Sequence, residues 1–406
     1  MRIAFFTNCY KPIVNGVVIA ISLLKEAYEE KGHQTYIFAP QVDDYIDEEK
    51  NIFRYRSVNL THKVKYPLAI PLSFRAKEII TQFNPDIIHI HHPFLLSSPA
   101  IIYGRELGIP RILTLHTQYE KYTHYFSPIP ERLTREVVKK IIINLAYKID
   151  CFTTPSSSMK ELIKNYGIKH RIEVIPNAIK LDTFREKDER KCTEIREKYK
   201  IAEDEKIILY LGRVAKEKSI DKILEALALI KRRGIDKVRL LIVGKGPALE
   251  ELQELAKSLH IEKEAIFTGE VKNEEVKHYY KIAYLFVTAS LTETFGIVII
   301  EALASGIPVL AVKAPGIVDI ITDGVEGILV ENEVVKITDA LEKVIRDPQL
   351  REELSQGALK TSSQYDINII SDRMLSLYQE IIEQGKDRNL KKTLITNNAV
   401  KYWERR

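Results

Sequence analysis

The feature that most constrains this chain is a rhythm that occurs twice. Short apolar runs, "RIAFFT", "QTYIFAP", "DIIHIH", "RILTLH" and "CFTTPS", alternate with amphipathic stretches such as residues 17–31. Apolar runs bounded by turn signals and separated by a helical period specify strand, crossover helix and parallel strand. The rhythm restarts at "KIILYLG" and continues through "VRLLIVG", "AIFTG", "YLFVTAS", "IPVLAV" and "EGILV", each again followed by a helical segment. At 406 residues the chain is longer than one hydrophobic core usually serves. The reading is an α/β protein of two Rossmann-like domains.

The division falls in "HRIEVIPNAIKLDTFREKDERK", where an apolar strand runs into Pro176-Asn177 and then into a charged stretch, so the linker is placed near residues 176–190. Residues 1–176 form the first domain and 177–364 the second. Past residue 332 the pattern is almost wholly helical, and 365–406 is read as a segment packing back toward the first domain. Capping of the second domain is the alternative. The basic tail after Gly385, "KDRNLKKTLITNNAVKYWERR", is expected to fray.

Composition narrows the partners. Lys and Arg total 61 against 56 Asp and Glu, and a net +5 this diffuse does not point to nucleic acid. Cys9, Cys151 and Cys192 are odd in number and lack a CxxC spacing, which indicates neither disulfides nor a zinc knuckle and favours a reducing compartment. The first apolar run breaks at Asn8 without a signal-peptide core, and no apolar run is long enough to span a bilayer. The expected location is the cytoplasm or the inner face of the cell membrane.

The motifs that carry chemistry follow strands. Pro12, Asn15 and Gly16 follow the opening strand, but there is no GxGxxG, which counts against a dinucleotide. "VGKGP" supplies Gly244 and Gly246, consistent with either a tight turn or a ligand contact. "GRVAKEKSID" sets Arg213 and Lys218 near the carboxyl end of a parallel strand, where open α/β sheets bind ligands. Two cations there suit a diphosphate. The alternative is a solvated basic turn paired with Glu217 and Asp221.

"LTETFGIVIIEALASGIPVL" places Glu293 and Glu301 with seven residues between them. A loop over Thr292 to Phe295 runs into a helix starting near Gly296, whose backbone N–H groups face an anion. Glu301 lies roughly 7 to 8 Å along that helix at 1.5 Å per residue. The two carboxylates thus need not serve one ligand atom. Glu293 can reach sugar hydroxyls, and Glu301 can accept both hydroxyls of a ribose. Otherwise they are a helix-entry charge and a paired acid.

Together the doubled rhythm, "GRVAKEKSID", "VGKGP", the Glu293-x7-Glu301 pair and "ASGIPVLA" resemble the retaining nucleotide-sugar glycosyltransferases with the GT-B architecture (family 4, glycosyl transferases group 1). The resemblance covers nearly the whole chain. Through "YKPIVNGVV", "DIIHIHHPF" and "LTLHTQYEKYTHYFSP" the first half is most similar to the bacterial diacylglycerol glucosyltransferases of glycolipid synthesis. It implies two facing domains with a cleft between them and a hexosyl transfer, with UDP-glucose as donor and an acceptor hydroxyl, diacylglycerol among the candidates. It also implies that Arg213 and Lys218 hold the donor diphosphate, Glu301 the ribose and Glu293 the sugar, with backbone support from Phe295, Gly296 and Ile297. His116 matches a histidine near the transferred sugar, and Gly16 a glycine that lets its loop approach donor phosphate and acceptor. Retention comes from the resemblance, with front-face attack favoured because no nucleophile stands at a matching position. No cofactor or metal is expected, the nucleotide-sugar being a substrate. Pro315, Asp319, Ala178, Lys180 and Lys245 depart from the family pattern and loosen the choice of donor base and sugar.

Two features lie outside that set. His89, His91 and His92 look like a metal cluster, but on a strand His92 points away from the other two and no carboxylate or cysteine stands at ligand spacing. In residues 130–150, Arg132, Arg135 and Lys139 share an arc opposite Leu133, Val137, Ile141 and Leu145. With Tyr119, Tyr122, Tyr125 and Phe126 before it, this helix either docks on anionic headgroups or packs as core. The competing functions are a GT-B relative that hydrolyses or epimerises a nucleotide-sugar, and a non-catalytic nucleotide-sugar or lipid binder.

Overall fold

The computed structural model describes residues 1–58, 67–119 and 131–403, the side chains of 131 and 387–403 excepted. The chain divides into two compact units, Met1–Pro176 with Asn368–Arg406, and Asn177–Ile367.

Unit 1 is built on strands β1 (Arg2–Phe6), β2 (Gln34–Pro40), β3 (Ile52–Tyr55), β6 (Ile87–Ile90), β7 (Arg111–Thr114), β8 (Cys151–Thr154) and β9 (Ile172–Val174). They form one parallel sheet in the order β3-β2-β1-β6-β7-β8-β9, and the short β4 (Ser57–Val58) and β5 (Leu68–Ala69) pair antiparallel beside it. Ile3, Ala4, Phe5 and Phe6 are fully buried, which is why β1 reads as an unbroken apolar run: helices cover both faces of a parallel sheet. Those helices are α1 (Gly16–Glu30), α2 (Phe74–Phe83), α3 (Ser97–Glu106), α4 (Glu131–Ala146) and α5 (Ser157–Asn165). Asn15, Ser73 and Ser156 cap α1, α2 and α5 through side-chain oxygens that accept orphan backbone N–H groups.

Unit 2 repeats the plan with β10 (Lys206–Leu211), β11 (Val238–Val243), β12 (Ala265–Gly269), β13 (Leu285–Thr288), β14 (Val309–Val312) and β15 (Gly327–Val330), all parallel in the order β12-β11-β10-β13-β14-β15. Its helices are α6 (Leu181–Arg185), α7 (Glu189–Lys198), α8 (Ile220–Arg232), α9 (Leu249–Ser258), α10 (Val276–Ile282), α11 (Ile297–Ala304), α12 (Pro315–Val318), α13 (Val334–Arg346) and α14 (Pro348–Ser362). In each unit the order reverses once, between β1 and β6 and between β10 and β13. Such reversals open a crevice beyond the strands' carboxyl ends, where ligands bind in sheets of this kind.

The doubled α/β reading holds, with three local corrections. The charged stretch read as linker to residue 190 folds into α6 and the start of α7, because Asp188 caps α7 by accepting from the Lys191 N–H at 3.1 Å. The tail read as frayed continues as α15 (Ile367–Trp403), since Gly385 sits in it without a helix-ending left-handed turn. The edge strand β3 was not expected; three of its four residues are only half-buried, and it gains its strand character from pairing with β2.

From Asn368 onward α15 is part of unit 1. Tyr378 is fully buried there, its hydroxyl 2.5 Å from His89 Nδ1 and its ring edge-on to Tyr28. Arg171 binds Glu380 with two parallel bonds of 2.8 and 2.7 Å, and Lys31 pairs with Asp372.

Candidate active site

On unit 2 the chemistry gathers at the reversal between β10 and β13. Beyond β10 the chain passes Gly212 and the exposed Arg213, then makes a short 3-10 turn, Lys216–Lys218, before α8. Ser219 joins the two in a left-handed conformation at φ 49°. The Lys218 ammonium binds the Glu293 carboxylate and reaches Ser290 Oγ at 3.4 Å. Both side chains are more than four-fifths buried, so the pair is less screened than a surface ion pair.

The glycines of "VGKGP" have a packing reason. A Cβ on Gly244, which has φ 136°, would stand 2.0 Å from the Gly212 carbonyl oxygen, and one on Gly246 would stand 2.1 Å from that of Val214. The loop after β11 therefore presses on the backbone either side of Arg213 and fixes that turn. The Val214 N–H donates to the Lys245 carbonyl at 3.1 Å and the Ala248 N–H to the Val214 carbonyl at 3.1 Å.

Glu293 is held by a residue with no evident signal in its motif. A Cβ on Gly316 would lie 2.4 Å from the Glu293 carbonyl oxygen, and the Gly316 N–H donates to that oxygen at 3.1 Å. In the sequence this glycine directly follows Pro315, one of the positions that depart from the family pattern, and no local motif marks it.

After Glu293 the loop enters α11 with Gly296 as its N-cap residue. Phe295 and Ile297 are buried, Phe295 edge-on to Tyr365 at 5.7 Å, so their contribution at this helix mouth is backbone. Glu301 lies further along α11, and its Oε2 accepts from the Tyr280 hydroxyl at 2.8 Å. Burial raises the Glu301 pKa from the ordinary 4.5 to about 7. The two glutamates thus have separate partners, Lys218 for one and Tyr280 for the other.

On unit 1, Gly16 opens α1 directly after the Asn15 cap, whose Oδ1 accepts from the Val18 N–H at 2.9 Å. His116 follows β7, buried, with Nε2 3.0 Å from His91 Nδ1. His89 and His91 stack at 4.1 Å, and His89 spans Tyr378 and Thr114, while His92 turns to the Asn8 N–H at 3.1 Å. Burial first, then the neighbouring imidazoles, holds His91 and His116 well below the usual histidine range, so both are neutral near pH 7. Among the described residues no group of three or more His, Cys, Asp or Glu is placed to hold a metal ion.

Helix α4 departs from the expected face. Val138, Ile142, Leu145 and Ala146 are its buried side, whereas Leu133 and Val137 are 58% and 56% exposed. The core under α4 covers only its later turns, leaving these two apolar side chains outside. Lys139 lies 5.7 Å from the Tyr166 ring, a cation–π distance, and Tyr119 packs edge-on to Phe94 at 5.1 Å. Tyr122, Tyr125 and Phe126 lie outside the described residues. No helix among the described residues is long and apolar enough to cross a membrane.

Two open parallel sheets, with cations, glutamates and a helix N-terminus at the reversal of the second, define a protein of two Rossmann-like units with a polar crevice suited to an anionic ligand. Residues 14–183 match the family described as Glycosyltransferase Family 4, and residues 192–361 match Glycosyl transferases group 1. The chain belongs to this glycosyltransferase family and is a transferase that moves a sugar to an acceptor. It is 36% identical over 357 residues to the alpha-monoglucosyldiacylglycerol synthase of Streptococcus pneumoniae, covering 87% of this chain and 80% of that one. It is 30% identical to the alpha-monoglucosyldiacylglycerol synthase of Acholeplasma laidlawii, covering 97% and 100%. Among solved structures, Anabaena HepE in complex with UDP and glucose superposes with TM-score 0.76 at 19% identity, covering 94% of this chain and all of that one, a likeness of fold.

Proposed function

We propose that this glycosyltransferase moves glucose from UDP-glucose to the free hydroxyl of diacylglycerol, with retention of configuration. The observation that carries the reading is the Lys218–Glu293 pair beside the N-terminus of α11, with Glu301 deeper on the same helix. Departure of the nucleoside diphosphate builds negative charge, which Arg213, Lys218 and the α11 N–H groups are suited to stabilise. Glu293, steadied by Lys218, accepts the glucose hydroxyls, and Glu301 accepts the ribose diol. For retention we favour front-face attack: the acceptor oxygen bonds to the anomeric carbon as the diphosphate leaves from the same face. The hydroxyl proton passes to the departing phosphate oxygen. His116, neutral and tied to His91, orients donor sugar or acceptor through hydrogen bonds and need not take a proton. The loop at Gly16 is assigned to donor phosphate and acceptor.

The acceptor is supported by the names of the two synthases above. Exposed Leu133 and Val137 beside the exposed Arg132, Arg135 and Lys140 suit an anionic lipid surface, which would place the enzyme peripherally on the inner face of the membrane. The cations serve the diphosphate without a resident metal, so chelator-treated enzyme is expected to keep its rate. The deciding experiment is product analysis over a panel of sugar nucleotides and acceptors that includes diacylglycerol. Glucosyl-diacylglycerol with an α linkage is the expected product; only free sugar or an epimer would overturn the transfer to lipid. For the surface, neutralising Arg132, Arg135 and Lys139 together is expected to abolish co-sedimentation with anionic vesicles.

A further inference from the structure

We propose that Tyr280 is the positioning residue for Glu301, and that binding of the nucleotide-sugar drives a proton off this pair into solvent. The proposal rests on the reading of Glu301 as the ribose acceptor.

The geometry contains a shortage of protons. The Tyr280 hydroxyl lies 2.8 Å from Glu301 Oε2 and 3.0 Å from the Val298 carbonyl oxygen, and the phenol has one proton for two acceptors. With an ionised Glu301, one of these contacts sets two unprotonated oxygens against each other in a buried site. A protonated Glu301 removes the conflict. Its carboxyl O–H donates to Tyr280 Oη, and the Tyr280 O–H donates to the Val298 carbonyl. The resting pair is then neutral and fully bonded, and burial of Glu301 pushes in the same direction.

Nearby charges leave this balance alone. On α10, Lys281 reaches the Ser305 carbonyl at 3.3 Å, Lys277 lies 3.9 Å from Glu186, and His278 is buried. On α7, which packs against α10, Arg190 and Lys191 pair with Glu194 and Arg196 donates to the Ala202 carbonyl at 2.7 Å. On α6, Asp182 and Arg185 are exposed, and Arg185 donates to Ser363 Oγ at 3.2 Å. On α14, Arg351 lies over the Tyr284 ring at 5.2 Å, and Glu352, Glu353 and Lys360 are exposed. Strand β14 has no charged residue. The aromatic rings of Phe184 and Phe286, each 5.9 Å from that of Tyr280, hold the phenol in place.

A ribose diol donates two O–H groups and therefore needs the carboxylate. On binding, the Glu301 proton leaves to solvent and the Tyr280 O–H turns from Val298 to Glu301 Oε2, so the carboxylate keeps one internal donor. Tyr280 thereby sets the pH at which the donor binds tightly. The diester phosphates of UDP-glucose do not titrate near neutrality, so a pH dependence in this range reports the protein.

The test is the Kd of UDP-glucose for the wild type, Tyr280→Phe and Glu301→Gln over about pH 6 to 9, with proton release measured in buffers of different ionisation enthalpy. In the wild type Kd is expected to tighten roughly tenfold from about pH 6 to 8, with proton release near pH 7. Tyr280→Phe is expected to weaken donor binding at neutral pH and recover at higher pH, with kcat at saturating donor unchanged. A merely structural tyrosine would not shift the midpoint. Glu301→Gln is expected to bind weakly and without pH dependence. Weak binding by Glu301→Gln beside a flat wild-type profile, or an unshifted profile in Tyr280→Phe, overturns the proton linkage. Wild-type affinity in Glu301→Gln at high pH overturns instead the ribose assignment beneath it.

Discussion

The Lys218 ammonium binds the Glu293 carboxylate across 75 positions of sequence, joining the turn after β10 to the loop after β13 where the strand order of unit 2 reverses. A cation assigned to the diphosphate and an acid assigned to the sugar are therefore one unit before any donor arrives. Each holds the other in a defined place, and neither is a solvated surface charge.

Because the two act together, their substitutions should not add. Lys218→Ala and Glu293→Ala are each expected to lower kcat/KM about 10²-fold or more, and the double variant to fall little below the worse single. Steady-state turnover of radiolabelled UDP-glucose measures this. Near-normal activity in both singles would remove these residues from the active site.

Backbone contact, not side-chain chemistry, places the Glu293 loop and the Arg213 turn. Gly316→Ala and Gly246→Ala would each press a methyl group on neighbouring backbone. Each is expected to lose about tenfold or more in kcat/KM, since displaced catalytic groups lose rate steeply. Gly385→Ala, in open space on α15, is the control and should leave activity unchanged. Equal activity in all three, at equal Tm, would exclude this role for the glycines.

Glu301 also links stability to pH. Its pKa is raised on folding, so between about 4.5 and 7 the folded state holds a proton that the unfolded chain has lost. Stability from this group is full below that window and falls as pH rises through it, by about 3 kcal/mol at most. Denaturant unfolding should therefore show Glu301→Gln gaining on the wild type between about pH 5 and 8. A constant difference across that range would show that burial does not hold the carboxyl neutral.

Tyr378 ties α15 to unit 1 through His89 and Tyr28. Tyr378→Ala empties a fully buried site and leaves His89 Nδ1 without this partner, so a loss of about 3 to 5 kcal/mol is expected by denaturant unfolding. A loss under about 1 kcal/mol would mean that α15 packs loosely there.

Much of this protein was legible in local sequence because parallel strands buried on both faces leave unbroken apolar runs. "KIILYLG" and "VRLLIVG" predict β10 and β11 without knowledge of their neighbours, and "TETFG" followed by an apolar run predicts the loop and the mouth of α11. Strand β3 was illegible because its order depends on β2. On α4, helical period alone placed Leu133 and Val137 on an apolar side, but how far the core extends beneath a helix is not written in its period.

The sequence by itself determined two α/β units and the residue types at the ends of their strands, since these follow from periodicity and turn chemistry, which are local. Only the tertiary structure decided that Lys218 meets Glu293, that Gly316 lies under the Glu293 backbone, and that one Tyr280 proton is set against two acceptors. Those relations join residues far apart in the chain. Burial then gives them their strength, because a charge or a missing proton that water would absorb must be answered there by a particular neighbour.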